Sequence, residues 1–189
     1  MSDRIVHVLG FAGSLRKGSY NRAVLRAAGE LLPDAMTLET FDIAPIPPYD
    51  YDIEVMGFPE PVVRFRDRIT AADALLIVTP EYNYSMPGVL KNAIDWASRS
   101  GDHRPLDGKP VGLMGASPGM AGTARAQAHL RMTCVCTNML PLSRPEVLIG
   151  QAPAKFDEEL RLTDEGTRQR IRDLLVALRD WTLKLRPLP

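Results

Sequence analysis

Five short, largely apolar runs alternate along the chain with segments of helical period: Ile5–Leu9, Met36–Phe41, Ala74–Val78, Val111–Ala116 and Glu146–Ile149. Runs this short and this apolar suit strands covered on both faces. Strands covered on both faces are usually parallel, and parallel neighbours need long crossovers. The intervening segments supply them. Ala23, Val24, Ala27, Ala28 and Leu31 form one helical stripe, and Val89, Leu90, Ala93, Ile94 and Ala97 another. The pattern predicts a doubly wound α/β sheet. Right-handed crossovers bring the C-terminal ends of all its strands to one edge. Ligands of such sheets bind there. Three loops emerge at that edge, after Leu9, Val78 and Ala116. The 189 residues predict a single domain, 1–189.

The first of these loops, Gly13-Ser14-Leu15-Arg16-Lys17-Gly18-Ser19-Tyr20-Asn21, opens a helix that Pro33 stops. Loop and first-turn N–H groups lack partners, which makes a strand–loop–helix start a ready anion site. Ser19 is placed to cap the helix. Arg22 stands where a capping box would put an acid, and no acid occurs between Ser14 and Gly29. Arg16, Lys17 and Arg22 crowd an end that is already positive. The final helix, from Thr163 to about Arg186, contrasts with it by placing Asp164 and Glu165 in its first turn. An external dianion accounts for the first helix; an ordinary βα turn with basic surface residues is the plainer alternative. Gly13 and Gly18 match the glycines of G-x-x-x-x-G-K-[ST]. Ser19 and Tyr20, however, replace its lysine and hydroxyl, which argues against nucleotide triphosphate hydrolysis. Hydroxyls, an arginine, an amide and backbone N–H groups suit a terminal phosphate monoester held without metal.

Lys+Arg and Asp+Glu are both 23, so no general pull towards nucleic acid or acidic membrane is expected. No apolar stretch reaches membrane-span length, and the N-terminus lacks the marks of a signal peptide. A cytoplasmic protein is expected. Cys134 and Cys136 read as small buried residues rather than a disulfide or metal site, and His7, His103 and His129 lack ligand spacing. Arg64, Arg66, Asp67 and Arg68 read as a solvated helix face. The proline-rich stretch from Asp42 to Pro59 reads as an irregular flap in which Tyr49 and Tyr51 could offer aromatic faces.

The second loop, Thr79 to Gly88, offers Tyr82, Tyr84 and backbone groups constrained by Pro80 and Pro87. The third, Ser117 to Gly122, is small enough for close approach. Phosphate in the first loop and a planar ring between the other two would fit a mononucleotide with a large heteroaromatic ring.

Gly13-Ser14-Leu15-Arg16…Ser19…Asn21, followed by Pro80-Glu81-Tyr82-Asn83-Tyr84-Ser85-Met86-Pro87-Gly88-Val89-Leu90-Lys91-Asn92-Ala93-Ile94-Asp95-Trp96, resembles the NADPH-dependent FMN reductase family. The likeness is greatest to its chromate/quinone reductase and azoreductase branch. It implies a flavodoxin-like three-layer sandwich: a five-stranded parallel sheet of order 2-1-3-4-5 with helices on both faces. It implies bound FMN, NADPH or NADH as electron donor, and a homodimer, sometimes paired into a tetramer. By motif, Ser14, Arg16, Ser19 and Asn21 would hold the phosphate. Pro80, Glu81, Tyr82 and Asn83 would line the isoalloxazine, and Ser117 and Gly119 would approach the ring or ribityl chain. No catalytic side chain and no metal are implied. Glu81 is as compatible with a structural hydrogen bond as with proton transfer. Relatives often carry a glycine within the segment that here reads Phe156-Asp157-Glu158-Glu159-Leu160, a departure that should lie away from the crevice.

The resemblance thus implies an FMN-dependent NAD(P)H:acceptor oxidoreductase. Hydride would pass through flavin N5 to quinones, azo compounds, chromate or free flavin by ping-pong kinetics. A flavodoxin-type electron carrier is the alternative, although such carriers are usually strongly acidic. A non-redox phosphate-binding protein on the same fold is a third reading.

Overall fold

The computed structural model describes residues 4–99 and 103–185. Its strands are β1 (Val6–Ala12), β2 (Met36–Phe41), β3 (Ala74–Val78), β4 (Pro110–Ala116), β5 (Leu140–Pro141) and β6 (Val147–Ile149). The helices are α1 (Tyr20–Glu30), α2 (Tyr51–Met56), α3 (Glu60–Ala71), α4 (Gly88–Ser98), α5 (Ala124–Cys136) and α6 (Glu165–Leu185), with a 3-10 turn at Ala152–Lys155. The sheet is wholly parallel in the order β2-β1-β3-β4-β5, and β6 also pairs with β4. The fifth strand position is therefore shared by two pieces. Leu140 and Pro141 pair with Pro110 and Val111, and Val147–Ile149 pair with Met114–Ala116. Pro141 and Pro145 lack the N–H that a continuous strand would donate. The resulting flavodoxin-like fold is the expected one, with that break as a refinement.

Strand periodicity sorts the core into two layers. Val6, Val8, Leu76, Val78, Met114 and Ala116 meet α1 and α6 on one face. Leu9, Phe11, Leu75, Ile77, Val111 and Leu113 meet α3, α4 and α5 on the other. Two layers of buried aliphatic side chains hold the sheet edge, and hence the three loops, in place.

Four local expectations are corrected. Arg66 is not on a solvated face: it is 2% exposed. Its guanidinium donates to the carbonyls of Trp96, Ala97, Arg99 and His103 at 2.7–3.4 Å, satisfying the open end of α4. The flap between β2 and α3 contains α2, capped by Asp50. Tyr49 packs edge-on against Trp96 there instead of facing a ligand. Asp164, rather than Thr163, caps α6 by accepting from the N–H and the hydroxyl of Thr167. Of the two cysteines, Cys134 is buried but Cys136 is exposed. The predicted end of the last helix, Arg186, lies outside the described residues. Among the described residues, no helix is long and apolar enough to cross a membrane.

Candidate functional site

Loop one leaves β1 with the Gly13 N–H donating to the Val78 carbonyl at 2.8 Å. It ends on Ser19, whose Oγ accepts from the N–H groups of Asn21 and Arg22. The first turn of α1 contains no acid. Ser14 is 6% exposed, and its hydroxyl has no partner among the described residues. Arg16 is exposed, lies 5.7 Å from the centroid of the Tyr20 ring and meets no carboxylate among those residues. An acid-free first turn, an orphan hydroxyl and a free guanidinium are what a phosphate monoester would satisfy.

Loop two is bent by a two-residue turn. Tyr82 and Ser85 exchange both backbone hydrogen bonds at 2.9 Å, with Asn83 at φ 49° and Tyr84 at φ 67° between them. Positive φ at both central positions defines a type I′ turn. Asn tolerates that region, but tyrosine costs about 1–2 kcal/mol there. Arg125 offsets part of the cost by lying 4.1 Å over the Tyr84 ring.

Glu81 joins loop two to α5. Its Oε2 accepts from the N–H groups of Arg125 and Ala126 at 3.0 and 3.1 Å, and Oε1 accepts from the Arg125 guanidinium at 3.3 Å. The carboxylate thus caps a helix that has no acid of its own in its first turn. An acid-free first turn is therefore not peculiar to α1, although α6 has Glu165 in its own. α1, α4 and α5 all start without acids at the crevice edge, and α5 borrows one from loop two.

Loop three is held from beneath. The Ser117 hydroxyl donates to the Gly122 carbonyl at 2.6 Å, and the Ser117 N–H donates to the Ile149 carbonyl. A Cβ at Gly115 would collide with the Thr79 carbonyl and the Thr123 hydroxyl, so only glycine lets loops two and three approach this closely. Asn21 ties loop one to the same point. Its carboxamide accepts from the Ala116 N–H and donates to the Ala116 carbonyl, both at 2.9 Å, leaving one Nδ2 hydrogen for a ligand.

These loops enclose a crevice of about 350 Å³. Loop one and α1 contribute Ser14, Arg16, Ser19, Tyr20 and Asn21; loop two contributes Pro80, Glu81 and Tyr82. Ala116, Ser117, Pro118 and Pro153 close the third side. Asn83 and Gly119 are not among the lining residues. Asn83 turns outward at the tip of loop two, and the Gly119 carbonyl accepts from Gly122 and Gln151. A cleft of about 320 Å³ near Arg99, Arg104 and Cys136 is comparable in size, but it sits at the other end of the strands, away from the three loops.

Tyr20, Pro118 and Pro153 escaped sequence reasoning, and the placement of Phe156–Leu160 is corrected. That segment packs on loop one rather than away from the crevice. The Phe156 ring lies 5.1 Å from the Tyr20 ring, Leu160 Cδ1 would be 3.9 Å from a Cβ on Gly18, and Arg26 donates to the Leu160 carbonyl. Leu160 itself has φ 58°, a left-handed conformation that glycine adopts more readily.

Residues 6–154 match the profile of the NADPH-dependent FMN reductase family. The chain belongs to that family. It is 54% identical over 186 residues to the NAD(P)H-dependent FMN reductase PA1204 of Pseudomonas aeruginosa, covering 98% of this chain and 100% of that one. It is 40% identical over 189 residues to the quinone reductase of Escherichia coli, covering 98% and 100% respectively. Among solved structures, the flavoenzyme NAD(P)H:(acceptor) oxidoreductase FerB from Paracoccus denitrificans superposes with a TM-score of 0.86 at 36% identity. That match covers 95% of this chain and 98% of FerB.

Proposed function

We propose that this family member is an FMN-dependent NAD(P)H:acceptor oxidoreductase whose flavin lies in the three-loop crevice. One observation carries the reading. The orphan Ser14 hydroxyl, the Ser19 cap and the unpaired Arg16 stand at one end of the crevice, with Pro80, Tyr82 and Pro118 at the other. Ser14, Arg16, Ser19 and loop N–H groups hold the phosphate, and Asn21 braces the helix that presents them. Pro80, Tyr82 and the backbone near Ser117 flank the ring. Glu81, Asn83 and Gly119 set the shapes of the loops.

Bound in this crevice, FMN would supply the redox chemistry, a hydride acceptor for NAD(P)H and an electron source for a second substrate. The protein need not supply a general base for that transfer. The Glu81 carboxylate is occupied by three donors and serves as a brace. Donor and acceptor use one open face in turn, which suits quinones, azo compounds, chromate and free flavin. We further infer a single domain working in the cytoplasm as a homodimer, or as a pair of dimers. Met132 and Val135 are 70% and 75% exposed on α5, apolar surface that association would cover. The zero net charge disfavours nucleic acid as a partner.

Arg16→Ala tests the phosphate assignment. A partly exposed charge-assisted contact is worth about 1 kcal/mol, so FMN affinity should fall roughly fivefold. Riboflavin, which lacks the phosphate, should bind as before; equal losses for both would contradict the assignment.

A further inference from the structure

The adenosine end of the electron donor has no motif in the sequence, but a smaller cavity beside the crevice has the chemistry to read it. This cavity measures about 180 Å³ and lies between α1 and the C-terminal end of β2. Ser14 forms a wall of both cavities, so they are neighbours across one residue. The other polar lining residues are Arg22, Arg26, Thr40 and Asp42.

We propose that this cavity receives the phosphorylated adenosine ribose of NADPH. Arg22 and Arg26 take the 2′-phosphate and Asp42 takes the neighbouring ribose hydroxyl, so NADPH is preferred over NADH. The inference rests on the flavin-dependent function proposed above.

Three observations converge on it. The Arg22 guanidinium has no hydrogen-bond or ion-pair partner among the described residues, although it lies beside a helix end that already favours anions. Arg26 uses one donor on the Leu160 carbonyl, leaving four of the five a guanidinium has. Asp42 is fixed at the end of β2, with Oδ1 accepting from the Ala44 N–H at 3.0 Å. A bare anion would gain from the two arginines and be repelled by Asp42. A phosphate beside a free hydroxyl uses both signs of charge.

At about 180 Å³ the cavity is below the usual range for a whole small-molecule ligand, which suits a sugar phosphate rather than a dinucleotide. The rest of the donor would therefore lie across the Ser14 wall towards the flavin.

The test uses the protein loaded with FMN, so that loop one is filled. Calorimetric titration should show 2′,5′-ADP binding roughly tenfold or more tighter than 5′-AMP. Arg26→Gln should remove most of that advantage without changing FMN content. In steady state, the same substitution should raise KM for NADPH by a similar factor and leave kcat and the KM for NADH unchanged. Equal binding of the two nucleotides to the unaltered protein would overturn the proposal. So would a substitution that changes nothing, or one that weakens both donors equally. Failure of both dinucleotides to reduce the flavin would instead strike the proposed function, while the nucleotide titration still decides the cavity.

Discussion

Glu81 is the residue whose replacement best separates bracing from chemistry. Glu81→Ala removes the acceptor of two N–H groups at the start of α5. Loss of such a cap costs about 1–2 kcal/mol. Loss of a carboxylate at a helix N-terminus adds about 0.3–1 kcal/mol. The Arg125 pair contributes below about 0.5 kcal/mol, because Arg125 is half exposed. The total is about 2 kcal/mol, which for a chain of 189 residues lowers Tm by roughly 4–8 °C. Glu81→Gln keeps one carbonyl acceptor and should lose about half as much. Loop two is then less firmly held, so FMN dissociates more readily from both variants, and more from the alanine. With FMN saturating, NADPH-driven reduction should stay near the unaltered rate. Differential scanning calorimetry, FMN titration and stopped-flow reduction measure the three quantities. Suppose instead that Glu81→Gln slowed reduction by roughly 100-fold or more, the scale of general acid–base catalysis, with Tm and FMN affinity intact. The bracing account would then be wrong and a proton-transfer role right.

Three further outcomes follow from the packing. Arg66→Met strips the donor from four carbonyls around the end of α4 and should cost about 3 kcal/mol, a fall in Tm of roughly 6–12 °C that calorimetry would detect. Burial pushes the Cys134 thiol up to about 11, so in the native protein a thiol reagent near neutral pH should label Cys136 alone, with Cys134 reacting only after unfolding; mass spectrometry reads the sites. The Thr167 hydroxyl, which donates to Asp164, holds that carboxyl below its ordinary value. Its stabilising contribution is therefore complete above the ordinary carboxylate range and is lost as pH falls through the depressed value. Asp164→Asn retains a cap without titrating, so its Tm should fall less steeply with acid than that of the unaltered protein.

Local signals were legible where one stretch of chain carried its own reason. Ala74–Val78 is apolar at every position and proved to be β3 with those bounds. Pro87 and the stripe from Val89 to Ala97 marked α4. The Ser19 cap could be read because its partners are two and three residues away. Arg66 could not, because its partners lie about 30 residues downstream and only the packing of α3 on α4 brings them within reach. Glu81 hid its role for the same reason, as the helix it caps begins 43 residues later. The broken fifth strand had a readable cause in Pro141 and Pro145, but the alternation of apolar runs drew attention only to its second half. α2 was obscured by the prolines before it, although Asp50 was a legible cap. In the site, the motifs pointed to the residues that line the crevice from loops one and two. Tyr20, Pro118 and Pro153 had no local mark, and Pro153 arrives only because the chain folds back after β6.

The most direct test of flavin-dependent oxidoreduction is anaerobic titration of the purified, FMN-loaded protein with NADPH. The yellow absorbance should bleach in proportion to added donor, reaching completion at one equivalent per bound FMN, and should return on addition of a quinone. A protein that retains no FMN after reconstitution, or whose bound flavin stays oxidised until a second protein is supplied, would contradict the account.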